Sequence, residues 1–200
     1  MNQYKIVLVG DAEIGKSALS FRISNNIFLS LYKPTIGAEY ASIQVQGCRF
    51  NIWDTAGQET YCKLLSTVYY RGADCCALCY DLSRSSSLKN VLKWFEGIKQ
   101  LDKMPMIILV GTKSDASIEV ELSEIKEVEI AIGAVQSLCS AKTGDGCDEI
   151  LQWLAKLIET QSDVQIDSSR TFDIQNIEEQ EFKITKMETG VPKQKKQGCC

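Results

Sequence analysis

Gly10-Asp11-Ala12-Glu13-Ile14-Gly15-Lys16-Ser17 satisfies the spacing G-x-x-x-x-G-K-[ST] in full, and its reading decides the fold. Immediately before it, Tyr4 to Val9 (YKIVLV) is a β-branched apolar run suited to a buried parallel strand, and after it Ala18 to Ile23 opens a helix. Strand, glycine-rich loop and helix in that order make a phosphate cradle. The loop's backbone N–H groups converge on an anion, the helix N-terminus adds partial positive charge, Lys16 reaches the outer phosphates, and Ser17 offers its hydroxyl to Mg²⁺. Glycine at 10 and 15 permits backbone geometry and close approach that a Cβ would obstruct. An ordinary glycine-rich turn with an exposed lysine is the competing reading, and it leaves the flanking strand and helix unexplained.

The composition sets the frame around this loop. Two hundred residues, 44% of them hydrophobic, suffice for one sizeable core plus an appendage. A net charge of −4 argues against a nucleic-acid partner, which calls for a basic face. The start, MNQYKIV, lacks a charged segment followed by a long apolar one, and the longest apolar stretch, Met104 to Val110, is too short to span a bilayer. A cytosolic protein is expected. Nine cysteines do not form a disulfide framework there. Cys75, Cys76 and Cys79 lie in the core-strand run CCALCY as small hydrophobes. Cys76 and Cys79 have metal-ligand spacing, but no second pair and no histidine accompany them. Cys48, Cys62, Cys139 and Cys147 are scattered and expected to be reduced.

Along the chain, strand and helix alternate. After the helix from Lys16 to about Asn25 and a polar loop from Asn26 to Gly37, two strands, Glu39 to Val45 and Arg49 to Trp53, meet at a hairpin turn at Gln46-Gly47. A loop from Asp54 to Cys62 and a short helix near Leu64 to Tyr70 lead to the strand Asp74 to Tyr80 and a helix from about Ser86 to Leu101. Met106 to Val110 reads as a buried strand, Ser123 to Ile132 as a helix opened by Ser123 and the acidic residues after it, Ala134 to Cys139 as a strand, and Asp148 to Ile158 as a helix. The sum is an α/β fold: a mostly parallel six-stranded sheet with one antiparallel edge strand and helices on both faces. Ligands on such sheets bind outside the carboxyl ends of the strands. Residues 161–200 carry seven acidic and six basic side chains and only eight Leu, Ile, Val or Phe, which predicts a flexible tail.

Beyond the cradle, Trp53-Asp54-Thr55-Ala56-Gly57-Gln58-Glu59, Thr35-Ile36-Gly37 and Tyr69-Tyr70-Arg71-Gly72-Ala73 together resemble Ras-superfamily small GTPases, and most closely their Rab branch. The resemblance covers roughly residues 4–160 and resumes at the terminal cysteine pair. It implies a P-loop NTPase G domain over 1–160, followed by a hypervariable tail over 161–200 that ends in a prenylation site. It also implies a slow GTP hydrolase that switches between GTP and GDP on cytosolic membrane faces and regulates vesicle trafficking. The nucleotide-binding set carried over is Glu13, Ile14, Gly15, Lys16, Ser17, Ala18, Phe28, Thr35, Gly57, Thr112, Lys113, Asp115, Ser140, Ala141 and Lys142.

Particular roles follow by residue chemistry and by the resemblance. Asp54 ends a strand beside the cradle, where a carboxylate holds Mg²⁺ through its water shell; a turn cap is its plainer role. Ser17 and Thr35 complete the metal shell, Thr35 only while the γ-phosphate is present. Gly57 presents an N–H to that phosphate, and Gln58 is the catalytic residue that orients the attacking water. Loops 26–37 and 54–70 then form an order–disorder switch. No arginine in the cradle or in these loops stands at an obvious finger position, so fast turnover is expected to need one supplied in trans.

Base choice rests on Thr112-Lys113-Ser114-Asp115. Asp115 accepts two hydrogen bonds from guanine, a pair adenine cannot supply. The family usually has asparagine where Thr112 stands, and the Rho branch has threonine there. Ser140-Ala141-Lys142 matches the loop whose backbone N–H reads the guanine carbonyl. Phe28 has two readings, an edge-on partner of the base or an apolar loop anchor. Ala12 replaces a glycine of Ras itself, and Glu13 puts a carboxylate beside polyphosphate, where it either points outward or weakens nucleotide retention.

Tyr40, Trp53 and Tyr69 align with the aromatic triad that Rab proteins present to effectors; core packing is an equal reading for Trp53. Cys199-Cys200 resembles a double geranylgeranylation site, two lipids giving stable anchoring, with Lys193, Lys195 and Lys196 adding attraction to anionic lipid. The implied partners are an exchange factor, a GTPase-activating protein, effectors, a GDP-dissociation inhibitor, the prenylation machinery and, through the lipid anchor, an endomembrane, with the chain itself a monomer. Two other readings compete. One is a hydrolysis-deficient GTP-binding scaffold, motivated by Ala12 and Glu13. The other is a P-loop ATPase or kinase, which leaves Asp115 and the WDTAGQE run unexplained.

Overall fold

The computed structural model describes residues 2–45, 47–57, 66–152 and 155, and for residues 66 and 67 the backbone alone. Its strands are β1 (Gln3–Val9), β2 (Ala38–Val45), β3 (Cys48–Thr55), β4 (Cys75–Asp81), β5 (Met106–Thr112) and β6 (Val135–Leu138). Its helices are α1 (Lys16–Asn25), α2 (Ser66–Tyr70), α3 (Ser85–Ile98) and α4 (Leu122–Ile132), with a last helical run over 147–152 and at 155. The sheet order is β2-β3-β1-β4-β5-β6. The β2–β3 pair is antiparallel and every other pair is parallel, so the mostly parallel sheet with one antiparallel edge strand is as expected.

Period-two alternation along β4 shows why this sheet must be covered twice. Cys75, Ala77 and Cys79 enter one core layer with Ile6, Leu8 and Leu19, whereas Cys76, Leu78 and Tyr80 enter the other with Val7, Val9 and Trp94. All seven residues of the strand are buried. Leu78 and Ile108, fully enclosed, each contribute about 2 kcal/mol of burial free energy. Cys76 and Cys79 point to opposite faces, so their spacing cannot chelate one ion, and burial pushes both thiols up to about 12. α1 and the last helical run cover the first layer, and α3 and α4 the second. The buried stripe of α3, Leu88, Val91, Trp94, Phe95 and Ile98, has the three-to-four spacing of one helix face.

Several boundaries differ from expectation. β3 runs on through Asp54 and Thr55, because Thr55 Oγ1 donates to the Leu8 carbonyl at 2.7 Å and Thr55 still pairs with Ala38. Asp54 therefore sits near the strand's end, as its place beside the cradle required, and only the expected start of the loop moves, to beyond Thr55. α4 begins at Leu122 with Glu121 as its extended N-cap, and Ser123 lies inside the first turn, giving no side-chain cap. Buried Val120 fixes the chain just before the helix, so an apolar anchor sets its start where a hydroxyl was expected to. α3 stops at Ile98, the last residue of its buried stripe. Among the described residues no helix is long and apolar enough to cross a membrane. The expected turn residue Gln46, the part of the expected loop from 58 to Cys62, the expected helix start at Leu64, most of the expected helix end over 153–158 and the expected tail lie outside the described residues.

Candidate nucleotide site

The loop after β1 is shaped by its neighbours as much as by its own glycines. A Cβ on Gly10 would collide with the Cys79 carbonyl of β4, and one on Gly57 with Ala12 N and the Asp11 carbonyl. Lys16 is almost fully buried, and its ammonium donates to the Gly10 and Asp11 carbonyls at 2.8 and 2.6 Å. Two of its three donors are thereby held at the mouth of the loop, leaving a third for a phosphate oxygen. Burial lowers its pKa, partly offset by the Asp54 and Asp11 carboxylates.

Beside the cradle three oxygens converge. Asp54 Oδ2 accepts from Ser17 Oγ at 2.6 Å and from Thr35 Oγ1 at 3.1 Å, and the two hydroxyl oxygens lie 3.0 Å apart. Asp54 Oδ1 is buried with no hydrogen-bond partner. Burial raises the Asp54 carboxyl, against the pull of the Ser17 hydroxyl, the Lys16 ammonium and the Thr35 hydroxyl. An orphaned carboxylate oxygen beside two hydroxyls is an all-oxygen donor set of the kind a hard cation such as Mg²⁺ takes. The residues present fit the ion.

On the far side, Asp115 Oδ1 accepts from Ser140 Oγ at 2.6 Å and Oδ2 faces the Lys142 ammonium at 3.4 Å. The Ser140 donor, opposed by burial and helped by Lys142, holds the carboxyl below its ordinary range, so it is ionised and accepting at neutral pH. Thr112 is buried, and its hydroxyl sits between the Ile14 and Tyr80 carbonyls, 2.9 Å from the latter. It braces the cradle from behind. Glu13 is exposed, with left-handed backbone (φ 65°), and its carbonyl accepts from Lys113 Nζ at 3.0 Å. Ala18 and Ile14 are buried behind the loop. The Phe28 ring lies 6.4 Å from Tyr32, which lies 6.4 Å from Phe21, and Phe28 is exposed.

The aromatic triad is contiguous. Tyr40 and Trp53 cross edge to face at 5.6 Å, Trp53 and Tyr69 lie 6.5 Å apart, and Lys5 Nζ stands 5.1 Å over the indole. Trp53 and Tyr69 also pack against the second core layer, which bears out the core-packing reading of Trp53. Gln58, Cys199 and Cys200 lie outside the described residues.

Sequence reading missed four contributors. Asp11 is clamped by Trp94 Nε1 and Asn90 Nδ2, both at 2.8 Å; Arg84 Nη2 donates to the Ala12 carbonyl at 2.9 Å; Asp81 pairs with Lys113; and Arg22 reaches the Ala141 and Lys142 carbonyls. Arg84, Asn90 and Trp94 belong to α3 and its cap, and no local motif marks them.

A sequence model of the Ras family matches residues 5–160. Ras-related protein SEC4 of Saccharomyces cerevisiae is 32% identical over 98% of this chain and 90% of its own length. Ypt/Rab-type GTPase YPT7 of the same yeast is 33% identical over 82% of this chain and 86% of its own. Ras-related protein Rab-11A of Dictyostelium discoideum is 42% identical over 62% of this chain and 61% of its own.

Proposed function

This chain belongs to the Ras family of small GTPases, in its Rab branch, and is a GTP hydrolase; from that premise we propose that it is a slow Mg²⁺-dependent GTP/GDP switch regulating vesicle traffic on cytosolic membrane faces. The observation that carries the reading is the convergence of Ser17, Thr35 and Asp54, because it joins the cradle, the 26–37 loop and the end of β3 at one point. A third phosphate favours that joined arrangement, and its loss releases the loop holding Thr35.

The residues divide the work. The backbone of residues 13–18 and the Lys16 ammonium bind the phosphates, Asp115 and the Ser140-Ala141-Lys142 loop select guanine, and Gly57 lies against the cradle where its N–H can meet the terminal phosphate. Ser17 and Thr35, with Asp54 acting through water, would hold Mg²⁺, which when bound would neutralise charge on the phosphate oxygens. Gln58 orients the attacking water. Arg84 is engaged with the Ala12 backbone, so it does not replace an arginine donated by an activating protein, an effect of roughly 10³–10⁵ in rate. Tyr40, Trp53 and Tyr69 form the effector face, and geranylgeranyl groups on Cys199 and Cys200 tether the 161–200 tail to an endomembrane.

Single-turnover hydrolysis of bound GTP tests this directly. Wild type is expected to turn over slowly and Gln58→Leu more slowly still. Equal rates for the two would remove Gln58 from the chemistry, and no turnover at all with or without an activating protein would leave the hydrolysis-deficient scaffold. Equal competition by ATP and GTP for the GDP site would overturn the guanine reading. In cells, membrane partitioning that survives the Cys199→Ser, Cys200→Ser double change would place the anchor elsewhere.

A further inference from the structure

Arg22 lies on α1, one turn beyond the cradle, and every arm of its guanidinium is used. Nε donates to the Ala141 carbonyl at 2.6 Å, Nη2 to the Lys142 carbonyl at 2.9 Å, and Nη1 to the Asn26 carbonyl at 2.9 Å and its Oδ1 at 3.3 Å. Asn26 is the left-handed cap of α1, where the loop carrying Phe28 departs. One planar fork thus joins the start of that loop to Ser140-Ala141-Lys142. From these contacts we propose that Arg22 is a positioning residue for guanine recognition, fixing the peptide planes of the base-reading loop.

The physical argument is geometric. In a trans peptide the C=O and the following N–H point in opposite directions. Capturing the Ala141 and Lys142 carbonyls from the α1 side therefore turns the N–H groups of Lys142 and Thr143 the other way. The plane before Ala141 is fixed separately, since the Ser140 carbonyl accepts from Gly144 N at 2.8 Å and from Cys147 Sγ at 3.4 Å. Ala141 is left between two immobilised planes, and its N–H has one direction to offer a base. Lysine cannot reproduce this, because a single ammonium on a flexible stem cannot span two carbonyls and a cap in fixed directions.

This inference rests on the reading of the Ser140-Ala141-Lys142 loop as the guanine O6 reader, and the experiment separates the two. GDP and 6-thio-GDP present the same two donors to Asp115 but differ at position 6, where sulfur is the poorer acceptor. Dissociation constants for both are measured on wild type, Arg22→Gln and Arg22→Lys. Wild type is expected to prefer GDP. Arg22→Gln is expected to bind GDP on the order of tenfold more weakly, with the ratio of the two ligands falling to about one. Arg22→Lys is expected to lie between. A merely structural loss would weaken both ligands equally and leave the ratio at its wild-type value, which would overturn the proposal; if Arg22→Gln does not fold, the ratio for Arg22→Lys decides alone. A wild-type ratio of about one would instead overturn the reading of the loop itself.

Discussion

The Lys113 ammonium stands 2.6 Å from Asp81 Oδ2 and 3.0 Å from the Glu13 carbonyl, so one side chain ties the end of β4 to the outer turn of the cradle. The pair is asymmetric, with the Asp81 side chain 4% exposed and the Lys113 side chain 41%. Burial alone would raise Asp81; Lys113 and the Ser83 donors outweigh it and hold the carboxyl below its ordinary range.

Lys113→Met leaves that enclosed carboxylate without its counter-ion, and is expected to cost about 1–3 kcal/mol in urea unfolding. A depressed carboxyl stabilises the fold above the ordinary carboxylate range and loses that contribution as pH falls through its folded value. In the variant the folded carboxyl is less depressed, so the contribution is smaller and what remains is lost over a narrower window that ends at higher pH. Adding Asp81→Asn should recover part of the stability; no recovery would mean the pair is not what Lys113 supports.

Ser140→Ala tests the acceptor that reads the base. Without the Ser140 hydroxyl the Asp115 carboxyl moves back up toward its ordinary range. GDP affinity, measured from about pH 7 down to about pH 4, should begin to fall at higher pH than in wild type. Superimposable profiles would show that Ser140 does not tune Asp115.

Thr112→Val keeps the shape and removes the hydroxyl between the Ile14 and Tyr80 carbonyls. The expected cost is about 1–2 kcal/mol of stability, together with faster GDP release, because the back of the cradle loses its brace. Release at the wild-type rate would separate Thr112 from the site.

Glu13→Gln isolates a charge. The side chain is exposed, so its effect on GDP release is expected to be under about twofold at physiological ionic strength and larger at low salt. A change beyond about fivefold at physiological salt would place that carboxylate against the phosphates.

The local logic of this molecule was readable in one dimension. Gly10 to Ser17, with an apolar strand before and a helix after, fixes a loop whose backbone faces an anion, and the alternation of strand and helix fixes a parallel sheet. Asp115 and Ser140 were legible as a pair of loops for the same reason, each following an apolar strand. Arg22 and Arg84 were not legible, because each acts on backbone atoms distant in sequence: Arg22 on residues 119 and 120 positions away, Arg84 on one 72 positions away. Asp81 was not legible because its partner, the Lys113 side chain, lies 32 positions away. Carbonyl acceptors carry no side-chain signature. Thr112 was read as a departure in the base motif, and the fold gives its hydroxyl to Ile14 and Tyr80.

What the sequence determined by itself is which segments could cradle phosphate and which side chains could choose a base, since these depend on spacing within a few residues. What only the tertiary structure decided is how those segments are held: which helix grips the base-reading loop, which salt bridge anchors the cradle and which carboxylate oxygen remains for a metal. Such contacts form only when strands distant in the chain are brought side by side, and the register of the sheet, not any motif, sets that meeting.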